Sequence, residues 1–162
     1  MFIISKYEIK KENGNIQTLL RHGDSDANDY EFVIDELQYT YHPENQNLLM
    51  KVFDGTNSPQ GFKDDTEGIA DTTDDYKYDL NGNLTKDTNK EITQITYNHL
   101  NLPVQIYFAN GSKISYFYNA IGQKVKKVVT SSETITTDYL AGFQYYNGSL
   151  KHFPHAEGYV NV

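Results

Sequence analysis

Tyrosines recur through this chain at a spacing that sets the size of its folding unit. An aromatic pair at alternate positions, a polar turn and a second extended run appear at Tyr76-Lys77-Tyr78-Asp79-Leu80-Asn81-Gly82-Asn83-Leu84. The pattern returns at Tyr97-Asn98-His99-Leu100-Asn101-Leu102-Pro103-Val104, and at Tyr116-Phe117-Tyr118-Asn119-Ala120-Ile121-Gly122-Gln123-Lys124-Val125. A looser copy is Tyr139-Leu140-Ala141-Gly142-Phe143. The anchors Tyr78, Tyr97, Tyr118 and Tyr139 are separated by 19, 21 and 21 residues. Such a length holds two strands and two turns, so each unit reads as a β-hairpin. Upstream, Tyr39-Thr40-Tyr41-His42-Pro43-Glu44-Asn45-Gln46-Asn47-Leu48 fits the same template, and Tyr7 followed by Asn13-Gly14-Asn15-Ile16 reads as a first, stretched copy.

The turn chemistry agrees. Asn110-Gly111 joins Val104–Phe108 to Ser112–Tyr118, and Asn147-Gly148 joins Phe143–Tyr146 to Ser149–Phe153. Asn-Gly between alternating runs predicts a two-residue hairpin in which both central residues take positive φ. Asn13-Gly14, Asn81-Gly82 and Asp54-Gly55 read as further turns of this kind. Val104, Ile106 and Phe108 line one strand face, and Ile114, Tyr116 and Tyr118 line another. Ile106, Phe108, Ile114, Tyr116, Tyr118 and Val125 are the expected packing set; Tyr118→Ala should cost about 3–5 kcal/mol if its ring is fully buried. No window shows a sustained helical stripe, and the alternation of Leu37, Tyr39 and Tyr41 favours strand there too. Asp24 to Asp29 and Asp54 to Asp75 read as irregular loops, the second with a short strand at Gly61-Phe62-Lys63.

Composition narrows the function classes. The 162 residues include 14 tyrosines and 8 phenylalanines and no tryptophan, which suits half-buried pleated surface. A net charge of −8 argues against nucleic-acid and membrane-surface partners, which need a basic face. The basic residues Lys124, Lys126 and Lys127 read as the solvated side of a strand. With no cysteine, disulfides, thiolate metal sites and a cysteine nucleophile are excluded. The start, Met1-Phe2-Ile3-Ile4-Ser5-Lys6, lacks the basic region and apolar length of a signal peptide.

The unit at Tyr76 to Thr85, Tyr-x-Tyr-Asp-x-x-Gly-x-Leu-x, resembles the YD repeat of bacterial Rhs proteins. The stretch from Ile95 through Tyr139-Leu140-Ala141-Gly142-Phe143 to Val160 resembles the form common in Bacteroidetes members of that family. The resemblance implies an all-β fold of consecutive antiparallel β-hairpin repeats forming an open, curved strip. Residues 1–53 would be degenerate repeats, 54–75 an acidic irregular loop and 76–162 regular hairpins. Its structural residues would be Tyr76, Tyr78, Asp79, Gly82, Tyr97, Tyr116, Tyr118, Gly122 and Tyr139, with turns at Asn110, Gly111, Asn147 and Gly148. In related proteins such strips spiral into a shell around a C-terminal toxin, and teneurins and the shell-forming subunits of insecticidal toxin complexes use similar repeats. The implied role is therefore non-catalytic: a wall segment of a secreted or cell-surface parent. Its partners would be adjoining repeats, the parent's core and the enclosed toxin, and no cofactor is implied. The family's autoproteolytic aspartate site belongs to a core beyond these repeats, and no residue here matches it. Two departures stand out: Asn98 and Asn119 replace the signature aspartate, and Asp54 to Asp75 contains no recognisable unit.

Other chemistries fare worse. His152, His155 and Glu157 lie close together, but the spacing of three and Pro154 do not suit a zinc site. Asp79, Asn81 and Asn83 alternate like calcium-loop ligands, yet Leu84 and Lys90 occupy the positions that need Gly and Glu. Asp64, Asp65, Glu67, Asp71, Asp74 and Asp75 read as solubilising charge on a mobile loop, with weak divalent-ion binding as the alternative. No Gly-x-Ser-x-Gly elbow is present. The competing functional expectation is a carbohydrate-binding cell-surface module, in which exposed tyrosines stack on sugar rings. An isolated strip also leaves strand edges open, which predicts self-association.

Overall fold

The computed structural model describes residues 2–9, 14–25, 30–56, 58–65 and 73–162. Among them the chain is all β, with no helix. Its strands are β1 (Phe2–Ile9), β2 (Ile16–Ser25), β3 (Tyr30–Tyr41), β4 (Leu49–Asp54), β5 (Tyr76–Tyr78), β6 (Leu84–Asp87) and β7 (Ile92–Tyr97). They continue as β8 (Pro103–Phe108), β9 (Lys113–Tyr118), β10 (Lys124–Thr130), β11 (Thr134–Leu140), β12 (Phe143–Tyr146), β13 (Ser149–His155) and β14 (Gly158–Asn161). The strands pair antiparallel in two open sheets, neither of them closed. Two compact units divide the chain, Met1–Lys90 and Glu91–Val162.

In the first unit β1 to β4 pair in sequential order, and β5 and β6 form a hairpin. Its core is Leu37, Val52 and Tyr76, with Leu19, Tyr39, Leu49, Phe62, Tyr78 and Leu84 packed against them. The alternation of Leu37, Tyr39 and Tyr41 places these three on one face of β3, as a period of two requires. The expected strand at Gly61-Phe62-Lys63 does not form. Phe62 instead packs on the core while its N–H donates to Asp35 Oδ1 at 2.5 Å. Asp24 and Ser25, expected in a loop, end β2. Asn13, residues 26–29, and Glu67 and Asp71 of the acidic stretch lie outside the described residues.

In the second unit β7 to β14 each pair with the next strand in sequence. Little of this unit is buried: Ile92, Ile95 and Thr137 are, while most residues of β8 and β9 are half-buried. The tyrosines of this unit are half-buried or exposed. Tyr118 is half-buried, whereas Tyr76 of the first unit is buried. Pro154 sits in β13 without loss, because the β12 ladder reaches only His152 and asks no N–H of residue 154.

Candidate functional site

The repeated unit can be followed atom by atom at Asp79, Asn98 and Asn119, each directly after an anchor tyrosine. At Asp79 the backbone N–H donates to Asn83 O at 2.9 Å, and Gly82 N–H donates back to Asp79 O at 3.0 Å. The Asp79 Oδ1 accepts from Asn81 N–H at 2.9 Å and Asn83 N–H at 2.8 Å. Asn98 repeats this with Leu100 and Leu102, and Asn119 with Ile121 and Gln123. The fourth residue of each turn takes positive φ: Gly82 at 82°, Asn101 at 56° and Gly122 at 80°. Each is a three-residue loop with a left-handed residue at its end, stapled by a side-chain oxygen that imitates a backbone acceptor. The shared requirement is one carbonyl-type oxygen, which aspartate and asparagine both carry. The asparagines at 98 and 119 are therefore no departure from the geometry.

The strand beyond each of these turns contains one extra residue opposite the tyrosine. Tyr78 pairs with Leu84 while Lys77 pairs with Lys86; Tyr97 pairs with Pro103 while Thr96 pairs with Gln105. Tyr118 pairs with Lys124 while Phe117 pairs with Lys126. Tyr41 shows the same step, against Leu49, although its loop is longer. The unpaired residues are Met50, Thr85, Val104 and Val125, each at a β-bulge. This corrects the expectation for Val125, which is an exposed bulge residue and not part of the packing. The bulge also changes the face on which the following lysines lie. Lys126 pairs with Asp138 at 3.1 Å, while Lys124 holds its ammonium 5.1 Å and 5.2 Å from the ring centres of Tyr116 and Tyr139.

Three of the tyrosine hydroxyls close the unit. Tyr41 Oη donates to Ile16 O at 2.7 Å, Tyr78 Oη to Leu49 O at 2.6 Å, and Tyr118 Oη to Pro103 O at 2.8 Å. Each donor is the last residue of its strand, and each acceptor is the first residue of the strand before it. Leu49 is the residue opposite Tyr41, and Pro103 the residue opposite Tyr97. The Tyr78 and Tyr118 hydroxyls therefore grip the strand start that faces the preceding repeat's tyrosine, whereas Ile16, gripped by Tyr41, faces Ile9. A tyrosine does this because its ring covers the sheet while its hydroxyl reaches a carbonyl beyond it. Burial raises the pKa of Tyr41, Tyr78 and Tyr118 above the ordinary 10.0, which keeps the donor proton in place.

The other expected turns divide. Asn147-Gly148 has positive φ at both residues, 47° and 81°, as a two-residue turn requires. Asn110-Gly111 does not: Gly111 alone is left-handed, and Phe108 N–H donates to Ser112 O in the three-residue pattern. Ala109 belongs to that loop, so Asn110 is not its first residue. Asp54-Gly55 is not a turn; Gly55 N–H donates to Glu36 O at 2.9 Å and prolongs the β3–β4 ladder.

The acidic stretch of the first unit is built in where it is described, not merely solvating. Asp35, Asp54, Asp75 and Asp87 are buried. Asp75 Oδ2 accepts from Val52 N–H at 2.8 Å and from Asn89 Nδ2 at 2.9 Å. Asp64 Oδ2 accepts from Asp54 N–H at 3.0 Å. Asp75 N–H donates to Met50 O. These groups occupy the side of β4 turned away from β3, so carboxylates seal an edge that would otherwise template another strand. The seal carries tension: Asp64 Oδ1 and Asp75 Oδ1 are buried without a hydrogen bond. Burial, the largest cause, raises the pKa of both carboxyls.

For chemistry on a substrate the described residues offer little. No group of three or more His, Asp or Glu among them is arranged to hold a metal ion. His155 Nδ1 accepts from Glu157 N–H at 3.3 Å in a turn. A cleft of about 360 Å³ beside Tyr139 is lined by Asn119, Gln123, Lys124, Leu140 and Gly142, and contains no carboxylate, imidazole or serine. The tyrosine hydroxyl bonds and the bulges were invisible to sequence reasoning; the tyrosine spacing alone pointed to where they occur. Neither a family model nor a curated protein matches the sequence.

Proposed function

We propose that this chain is a non-catalytic structural segment of an Rhs/YD-repeat shell, one that encloses or presents a C-terminal toxin in a secreted or cell-surface parent. The observation that carries the reading is the recurrence of one joint. A strand-ending tyrosine, a three-residue Asx-stapled turn and a bulge recur at Tyr78, Tyr97 and Tyr118. At Tyr78 and Tyr118 a hydroxyl bond ties the repeat to the strand before it. A repeat whose apolar face is only half-buried depends on its neighbours, so a bond made between adjacent strands has a mechanical role.

The test is limited proteolysis of the parent protein. The segment that follows the repeats should resist cleavage in the wild type and become accessible when Tyr41, Tyr78 and Tyr118 are all changed to Phe. Equal digestion in both would overturn the reading. A second reading, a carbohydrate-binding surface module, draws on the exposed rings of Phe117, Tyr146 and Tyr159. Glycan-array binding that disappears in Tyr146→Ser and Tyr159→Ser variants of unchanged circular dichroism would support it; a blank array would remove it.

A further inference from the structure

Three Asn-Gly pairs lie wholly among the described residues: Asn81-Gly82, Asn110-Gly111 and Asn147-Gly148. Such pairs carry a latent reaction. The glycine nitrogen lies close enough in sequence to attack the asparagine side-chain carbon, and a residue without Cβ offers little steric resistance. The attacking nitrogen must first give up its proton, so a glycine N–H held by a carbonyl is the poorer nucleophile. Gly82 N–H donates to Asp79 O, and Gly111 N–H to Phe108 O, both at 3.0 Å. Gly148 N–H makes no such bond among the described residues.

The electrophile is prepared at the same turn. Thr136 N–H donates to Asn147 Oδ1 at 2.8 Å, at the oxygen on which negative charge develops during attack. Asn110 Oδ1 also accepts hydrogen bonds, from Ser112 N–H and Oγ. Polarisation of the carbonyl is thus common to the two sites, and the free nucleophile is particular to Asn147. That residue is exposed and open to water.

We propose that Asn147 is a spontaneous modification site, converted through a succinimide to an aspartyl or isoaspartyl residue in the turn between β12 and β13. The Gly148 nitrogen forms a bond to Asn147 Cγ, and the bond from Cγ to the amide nitrogen breaks. Ammonia leaves with the proton from Gly148. Water then opens the ring at either carbonyl, and no electron transfer is involved. Opening at the backbone carbonyl yields isoaspartate, which adds a carbon to the main chain. The turn tolerates that poorly: both of its residues are left-handed, Tyr146 is paired with Ser149, and Asn147 N–H donates to Thr136 O at 2.8 Å. The product would loosen β12 from β13 and release the bonds that Asn147 makes to β11.

The sequence supplies an internal control, because Asn110-Gly111-Ser112 and Asn147-Gly148-Ser149 are the same tripeptide. The whole chain is incubated at mildly alkaline pH, folded or in concentrated urea, then digested, and both sites are quantified by peptide mass spectrometry. In the folded chain Asn147 should convert about three- to tenfold faster than Asn110, the factor for not having to open one hydrogen bond. In urea the two rates should approach each other. Folded rates that are equal, or that favour Asn110, would overturn the proposal. So would the same ratio persisting in urea, which would assign the difference to neighbouring side chains instead of the fold.

Discussion

Replacing Tyr118 by phenylalanine keeps the ring and removes only the hydroxyl that donates to Pro103 O at 2.8 Å. Both residues are half-buried, so water can reach the abandoned carbonyl, and the loss should be about 1 kcal/mol. Tyr118→Ala removes the ring as well; with half of it already wet, the cost should be about 2 kcal/mol, below the figure for a fully buried ring. Tyr41 and Tyr78 meet through Leu49, which faces one tyrosine and accepts from the other, so their Phe variants should couple. Tyr118 shares no partner with either, and its effect should add to theirs within about 0.5 kcal/mol. At about 1 kcal/mol each the triple variant would lose about 3 kcal/mol, changed only by the Tyr41–Tyr78 coupling term, a large part of the 5–15 kcal/mol of an ordinary domain. Urea unfolding followed by far-ultraviolet circular dichroism measures each step, with an unchanged denaturant slope as the check on a common mechanism. If Tyr118→Phe unfolds at the wild-type midpoint while Tyr118→Ala remains destabilised, ring packing alone holds the strand and the clasp argument fails.

Three other outcomes are expected. Burial, the leading cause in each case, raises the pKa of Tyr39, Tyr41, Tyr76, Tyr78, Tyr118 and Tyr139 above the ordinary 10.0, Tyr76 to about 12. A folded value above the unfolded one means stability that is complete below pH 10 and lost as pH rises through the folded values; a melting temperature flat across the tyrosinate titration would contradict this. The raised carboxyls of Asp64 and Asp75 follow the same sign, so stability should climb as pH falls from neutral through their folded values. Asp75→Asn should flatten that climb, and Asp75→Ala should cost about 2–4 kcal/mol by stranding Val52 N–H and Asn89 Nδ2; a melting series across pH reads both. At the turns, Asn119→Asp should be neutral within about 0.5 kcal/mol, because it retains the accepting oxygen. Gly122→Ala should cost about 1 kcal/mol or more from its positive φ, with a Cβ set 3.3 Å from Leu102; thermal melts that reverse this order would refute the turn geometry.

Much of this was legible in the amino-acid order. Tyr78, Tyr97 and Tyr118 end strands where their spacing put them, since a hairpin has a nearly fixed length and its turn needs particular residues. The turn class at Asn110-Gly111 was misread because loop length is decided by which neighbours close the ladder, and Ala109 carries no signal of its own. Val125 was misplaced because alternation assumes an unbroken pleat, and a single bulge reverses it. The buried carboxylates were missed for a different reason. Asp64, half-buried, and Asp75, buried, bond to an edge of β4 that is 10 and 23 residues away in sequence, and no local periodicity records so long a contact.

The interchange of aspartate and asparagine at the turn staple has an electrical corollary. Asp79 carries charge at that position, while Asn98 and Asn119 carry none, yet all three fold the backbone alike. A tandem array built on such corners can gain or shed one negative charge per repeat without redesigning a strand. Its isoelectric point is thus free to follow whatever surroundings or contents the array must tolerate, while its architecture stays put.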